Sequence, residues 1–115
     1  MLKKRYVLTP TARAHLREAK AWSRARWGVE LTKSYFEDLE KAAQYLAGHH
    51  KQLCQNPQHE LGVYPVREHY IIYTPLDEDT IALLAVIRQG RDIPSLLQRH
   101  ASLFARELRE IKGNY

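Results

Sequence analysis

Seven consecutive apolar residues, Ile81-Ala-Leu-Leu-Ala-Val-Ile87, constrain the fold of this chain more than any other stretch. A strand with one wet face alternates apolar and polar side chains. This run does not alternate, so both of its faces must be covered. It predicts a central strand in a sheet with a layer on each side. It is too short to cross a bilayer as a helix, and no long uninterrupted apolar run occurs elsewhere. The run ends abruptly in Arg88-Gln-Gly-Arg-Asp92, which places two permanent cations and an aspartate at the tip of the most buried strand.

The flanking sequence supplies the rest of the architecture. Lys4 to Thr9 alternates and reads as a first strand. Thr9-Pro10 reads as a helix start, with Thr as cap and Pro in the first turn. Ala12, Leu16, Ala19 and Trp22 form one apolar face of a helix running to about Arg26. Gly28 breaks the chain, and a second helix carries Leu31, Tyr35, Leu39, Ala42 and Leu46 on one face. The two helices are expected to form an antiparallel hairpin. Gly48 to Gly62 has no clear period, contains Asn56-Pro57, and reads mostly as loop. Tyr64 to Glu68 is a short strand that Pro65 confines to an edge. His69 to Thr74 is the next strand, and Asp77-Glu-Asp79 is a turn. Asp92 or Ser95 starts one final helix bearing Leu96, His100, Phe104, Leu108 and Ile111. The predicted class is α+β: an N-terminal strand, a helical hairpin packed on a small antiparallel sheet, and a C-terminal helix.

With 115 residues the expectation is a single domain spanning 1–115. The formal charge of +5 favours acidic partners such as nucleic acid, the ribosome or an acidic protein. Cys54 is the only cysteine, so no internal disulfide forms, which suits a reducing cytoplasm. The basic N-terminus leads into no apolar signal core, and no membrane association is expected. His49, His50, Cys54 and His59 cluster, but their spacing fits no familiar zinc site, so no metal is expected. Cys54 has no marked base beside it, as a nucleophile would need. Arg13, Arg17, Lys20 and Arg24 share one helix face, which suits either a solvated surface or a nucleic-acid stripe. Trp22, on the apolar face, reads as core, and Trp27 as packing at the hairpin joint.

Several of these segments, in this order, resemble the toxins of the ParE branch of the ParE/RelE superfamily. Tyr6-Val-Leu-Thr-Pro-Thr-Ala12 followed by Leu16 is similar to that family's opening strand and helix start. Trp27-Gly28 falls between the two helices, and Tyr35 and Leu39 fall at familiar places on the second. His69-Tyr-Ile-Ile-Tyr73 is similar to the hairpin strand, and Ile87 to Asp92 followed by Leu96-Leu97 to the closing motif. The chain departs from the family in three places. Arg88 stands where a His is usual, Arg13 and His15 occupy a turn that is often acidic, and the segment from Ser95 to Lys112 is long.

The resemblance implies the toxin component of a type II toxin–antitoxin system, with a cognate antitoxin as partner, possible higher-order assembly with it, and no cofactor. ParE-like members poison DNA gyrase by binding, whereas RelE-like members cut messenger RNA in the ribosome. RNA cleavage needs a base, a cation at the phosphate and an acid. RelE-like toxins carry an Arg within the hairpin strand, and here Tyr70 stands at the matching position. The expectation is therefore a gyrase inhibitor with no catalytic residues. Arg67, Arg88, Arg91 and Asp92 are the candidate target-binding residues, with capping as the other role open to Asp92. The alternatives are an mRNA endonuclease, with His69, Tyr73 or Tyr115 moving protons, or a non-toxic module that only binds antitoxin. The candidate antitoxin surface is the outer sheet face and the groove beside the helical pair.

Overall fold

The computed structural model describes residues 5–53, 61–77, 80–90 and 92–114. Strand β1 (Arg5–Leu8) leads into helices α1 (Pro10–Trp27) and α2 (Val29–Leu53). Strands β2 (Gly62–Val66), β3 (His69–Asp77) and β4 (Thr80–Arg88) follow, then helices α3 (Ile93–Arg99) and α4 (Ala101–Asn114). The sheet order is β1-β4-β3-β2, with β2–β3 and β3–β4 antiparallel and β1 parallel to β4. The apolar run is thus an inner strand, buried from Ile81 to Ile87. Pro65 sits on the edge strand β2, where its missing N–H costs no ladder bond. Because β1 joins in parallel, the sheet is mixed rather than wholly antiparallel.

Two clusters fill the two faces. Tyr35, Leu39, Ala43 and Leu46 of α2 pack with Ile71, Tyr73, Ile81 and Leu83. On the other face Ile72, Leu84, Ala85 and Ile87 pack with Phe104, flanked by Leu96, Leu97 and Leu108. Strict alternation could not put Leu84 and Ala85 in the same cluster. A register shift makes this possible: Ile72 pairs with Ala85 and Tyr73 with Leu83, so Leu84 is an extra residue.

Thr9 ties the first helix to this irregular point. Its backbone N–H donates to the Leu83 carbonyl at 3.1 Å. Its hydroxyl lies 3.0 Å from the Leu83 carbonyl and 3.2 Å from that of Leu84, and accepts from the Ala12 N–H at 3.1 Å. One buried side chain therefore caps α1 and anchors it to the central strand.

Gly28 alone separates α1 from α2. Its N–H bonds the Arg24 carbonyl, closing α1, while its own carbonyl accepts from the N–H of Thr32 at 3.2 Å and its hydroxyl at 2.7 Å, opening α2. Gly28 has φ +87° and ψ 176°, a combination nearly restricted to glycine.

Strand β2 ends at Val66, so Arg67 and Glu68 form the turn rather than the expected strand end, and β3 runs past Thr74 to Asp77, which pairs with Thr80. Three further differences concern the helices. First, α2 continues past Gly48 to Leu53, where a loop was expected. Leu46 and Ala47 are buried there and His49 Nδ1 donates to the Tyr45 carbonyl at 2.9 Å, which outweighs the ~1 kcal/mol penalty of a helical glycine. Second, Leu31 is 59% exposed rather than part of the apolar face, and Thr32 takes the buried position beside it. Third, the single final helix is two, interrupted at His100. Leu96, His100, Phe104 and Leu108 keep a four-residue spacing across the break, so periodicity cannot reveal it. Cys54, Asn56-Pro57 and His59, the turn residues Glu78 and Asp79, Arg91 and Tyr115 lie outside the described residues, as does the side chain of His50. Among the described residues no helix is long and apolar enough to cross a membrane, and no group of His, Cys, Asp and Glu could hold a metal ion.

Candidate functional site

The tip of β4 meets the turn between β2 and β3. That turn has two residues, and Arg67 at its first position has φ +51°, as primed hairpin turns require. Gln89 fastens the two tips together. Its N–H donates to the Glu68 carbonyl at 2.8 Å, and Nε2 donates to the carbonyls of Arg67 at 2.7 Å and His69 at 3.3 Å. His69 and Arg88 are direct cross-strand partners. The site is thus built on strand ends held in register.

A chain of rings lies beneath the cations. Trp22 and Trp27 meet edge to face at 5.1 Å, Trp27 lies 5.5 Å from Tyr35, and Tyr35 meets His69 at 5.4 Å. The Arg88 guanidinium sits 4.4 Å from the Trp22 ring centre and that of Arg26 at 5.2 Å. Arg67 lies 5.4 Å over Tyr35 and pairs with Asp38. Such contacts hold each guanidinium in place without neutralising Arg88.

His69 is 2% exposed and its Nδ1 hydrogen-bonds the Tyr35 hydroxyl. Burial pushes the Tyr35 phenol above its ordinary value, so it keeps its proton. Burial, and then the charge on Arg88, push the His69 pKa below its ordinary 6.5. With the phenol as the donor to Nδ1, the neutral ring carries its own proton on Nε2. In that tautomer His69 offers a donor here, not a base.

A cavity of about 360 Å³ opens beside it, lined by His15, Glu18, Ala19 and Trp22 of α1, His69, the end of β4, Leu96 and His100. Arg88 reaches this cavity. Arg67 does not line it but stands on the adjoining turn. Asp92 is elsewhere engaged: it caps α3, with Oδ1 accepting from the Ser95 N–H at 3.3 Å and Oδ2 from its hydroxyl at 2.7 Å. Those bonds hold its carboxyl below the ordinary range. Tyr73 is buried in the core, and Tyr70 belongs to the cluster on the opposite face. Arg13, Arg17, Lys20 and Arg24 are exposed on the flank of α1 away from His15 and Trp22.

The structure thus adds Trp22, Tyr35 and Gln89 to the tip, and brings there His69, which the sequence offered only for the endonuclease alternative. Trp22 is only half-buried, because its ring serves as the platform for Arg88 rather than as core. Its helical spacing is the same in either role.

Residues 6–93 match the model of a family described as the ParE toxin of the type II toxin–antitoxin system parDE. The chain belongs to the ParE toxin family. Two relatives, Toxin ParE1 from Mycobacterium tuberculosis strains CDC 1551 / Oshkosh and ATCC 25618 / H37Rv, are each 29% identical over 91 residues, covering 77% of this chain and 93% of theirs. The fold is similar to that of a chain in the structure of a chromosomal ParDE system from P. aeruginosa. The TM-score is 0.60 at 14% identity, over 75% of this chain and 96% of that one. The ParE match runs from β1 to the first residue of α3. The strand tip lies within it and α4 lies beyond it.

Proposed function

We propose that this ParE-family toxin acts by binding: its strand tip docks on DNA gyrase and arrests it on DNA, and a cognate antitoxin neutralises it in the cytoplasm. The supporting observation is the Tyr35–His69 bond. A nuclease would need an unprotonated nitrogen at the substrate, and with the phenol donating to Nδ1 that bond takes the one His69 has. What the tip presents is a ring-supported cation, Arg88, beside a second, Arg67. This arrangement suits recognition of anionic groups more than bond cleavage.

Gyrase supercoiling in the presence of purified, antitoxin-free protein tests the reading. Inhibition with trapped linear DNA is expected. Arg88→Ala should weaken inhibition by about tenfold, equivalent to ~1.4 kcal/mol of contact energy. No effect from folded protein, or cleavage of ribosome-bound message instead, would overturn it.

For the antitoxin, the outer sheet face favoured by the sequence is occupied, since Phe104, Leu96 and Leu97 cover it. Exposed apolar side chains remain at Val29, Leu31 and Tyr45 on α2 and Val63 on edge strand β2. Together with the β2 edge, unpaired among the described residues, they offer the surface that a wrapping antitoxin segment would bury. Coexpression with the product of the neighbouring gene should yield a tight complex.

A further inference from the structure

We infer that the strand-tip cavity is an oxyanion site for a phosphate group, with Arg88 and the Nε2–H of His69 as donors and Tyr35 as the residue that positions His69. This deepens the docking reading and rests on it for the use of the site, though not for its chemistry. The donor at the cavity floor is set by a contact behind it. Tyr35 fills His69 Nδ1 and leaves Nε2–H as the ring's remaining polar group. Arg88 has no carboxylate partner among the described residues and is exposed at the mouth, while His69 is buried at the floor.

Val86, Ile87 and Leu96 provide apolar walls, which strengthen charge-assisted bonds by excluding water. Glu18 is the carboxylate on the lining, and it is exposed, where water screens it. A tetrahedral phosphate sends oxygens in several directions, so one can meet the guanidinium at the mouth while another meets the imidazole at the floor. A planar carboxylate engaged by the guanidinium fork has both oxygens in one plane. The group could arrive on a nucleic-acid backbone, as a terminal phosphate ester, or as free phosphate.

Nitrogen-15 NMR of the histidine rings and the Arg88 guanidinium tests the inference on the full chain. Inorganic phosphate should shift the His69 Nε2 and Arg88 Nε signals saturably, and sodium chloride at equal ionic strength should not. Arg88→Met, which keeps the aliphatic stem over Trp22, should weaken phosphate binding by about tenfold or more. Tyr35→Phe should convert the His69 signal from a pure Nε2–H form to a mixture of tautomers and weaken binding. A purely structural tyrosine would leave that signature unchanged.

A short DNA with and without a 5′-phosphate separates the sources. Binding of both indicates a backbone phosphate, binding of the phosphorylated form alone a terminal ester, and binding of neither the free ion. Equal responses to phosphate and chloride, an Nδ1–H form in the unaltered protein, or undiminished binding by Arg88→Met would each overturn the inference. Gyrase inhibition without phosphate binding would overturn it while leaving the docking reading in place. Phosphate binding without gyrase inhibition would uphold the site and sink that reading.

Discussion

The helical-hairpin face of the sheet and the α3–α4 face bury the same kinds of side chain, yet they are closed by different means. On the hairpin face, α1 and α2 share a one-residue joint and are fixed at Thr9, close to where the chain leaves β1. On the other face α4 arrives from the far end of the chain and is held at two places. Phe104 enters the cluster, and the buried Glu107 carboxylate accepts from the Thr11 N–H at 3.1 Å and from its hydroxyl at 2.7 Å. The second contact has a specific meaning. The first turn of α1 has no acidic residue of its own, and Glu107 brings negative charge to that N-terminus from 96 residues away. A role that most helices fill locally is filled here by tertiary structure.

The contrast can be broken from the α4 side. Phe104→Ala should cost about 3–5 kcal/mol by denaturant unfolding, since Phe104 is the main large side chain that α4 commits to its cluster. Glu107→Ala should cost about 1–3 kcal/mol, because the Thr11 N–H and hydroxyl lose their acceptor. Glu107→Gln keeps one acceptor oxygen and should cost less. If both variants left stability unchanged, the α3–α4 face would be an ornament rather than a closure. The hairpin face holds a defect of its own. Among the described residues Ser23 Oγ is buried with no partner, so Ser23→Ala should raise stability by roughly 1 kcal/mol.

The smallest effect expected is a pH dependence on the hairpin face. The folded pKa of His69 lies below its ordinary 6.5, so in acid the unfolded chain takes up a proton that the folded one refuses. The contribution is whole above that value, falls as pH drops through it, and levels once the pH is below the folded pKa. Unfolding midpoints measured from about pH 8 to about pH 5 should therefore fall less steeply in His69→Gln than in the unaltered protein.

Much of the hairpin face was legible in the sequence, because its signals are local. Thr9-Pro10, the helical spacing after it, Gly28 and Pro65 each act within a few residues. The apolar run Ile81–Ile87 revealed that a second cover must exist, and Phe104 and Leu108 revealed what it is made of. The parallel pairing of β1 with β4, the break at His100 and the Glu107–Thr11 contact were not legible, since each depends on residues far apart in sequence. At the site, Arg67 and Arg88 stood out as cations at a strand tip. Trp22 and Tyr35 did not, because they come from two helices and each sits at a spacing that core residues share; His69 was visible only as a proton carrier for the endonuclease alternative. Asp92 was visible as a cap or a contact, and Ser95 accounts for the cap.

The parallel pairing of β1 with β4 has a consequence in time. Arg5–Leu8 bond with Thr80–Leu83, so the first strand made must wait for the last of the four. Local helices form early, whereas long-range pairings form late. A partly synthesised chain can thus hold its helical pair, with Trp22 and Tyr35 in place on it, and still lack Arg88. The tip proposed for docking is complete only when β4 has emerged and found both neighbours, so an interrupted translation product of this toxin would carry the scaffold without Arg88.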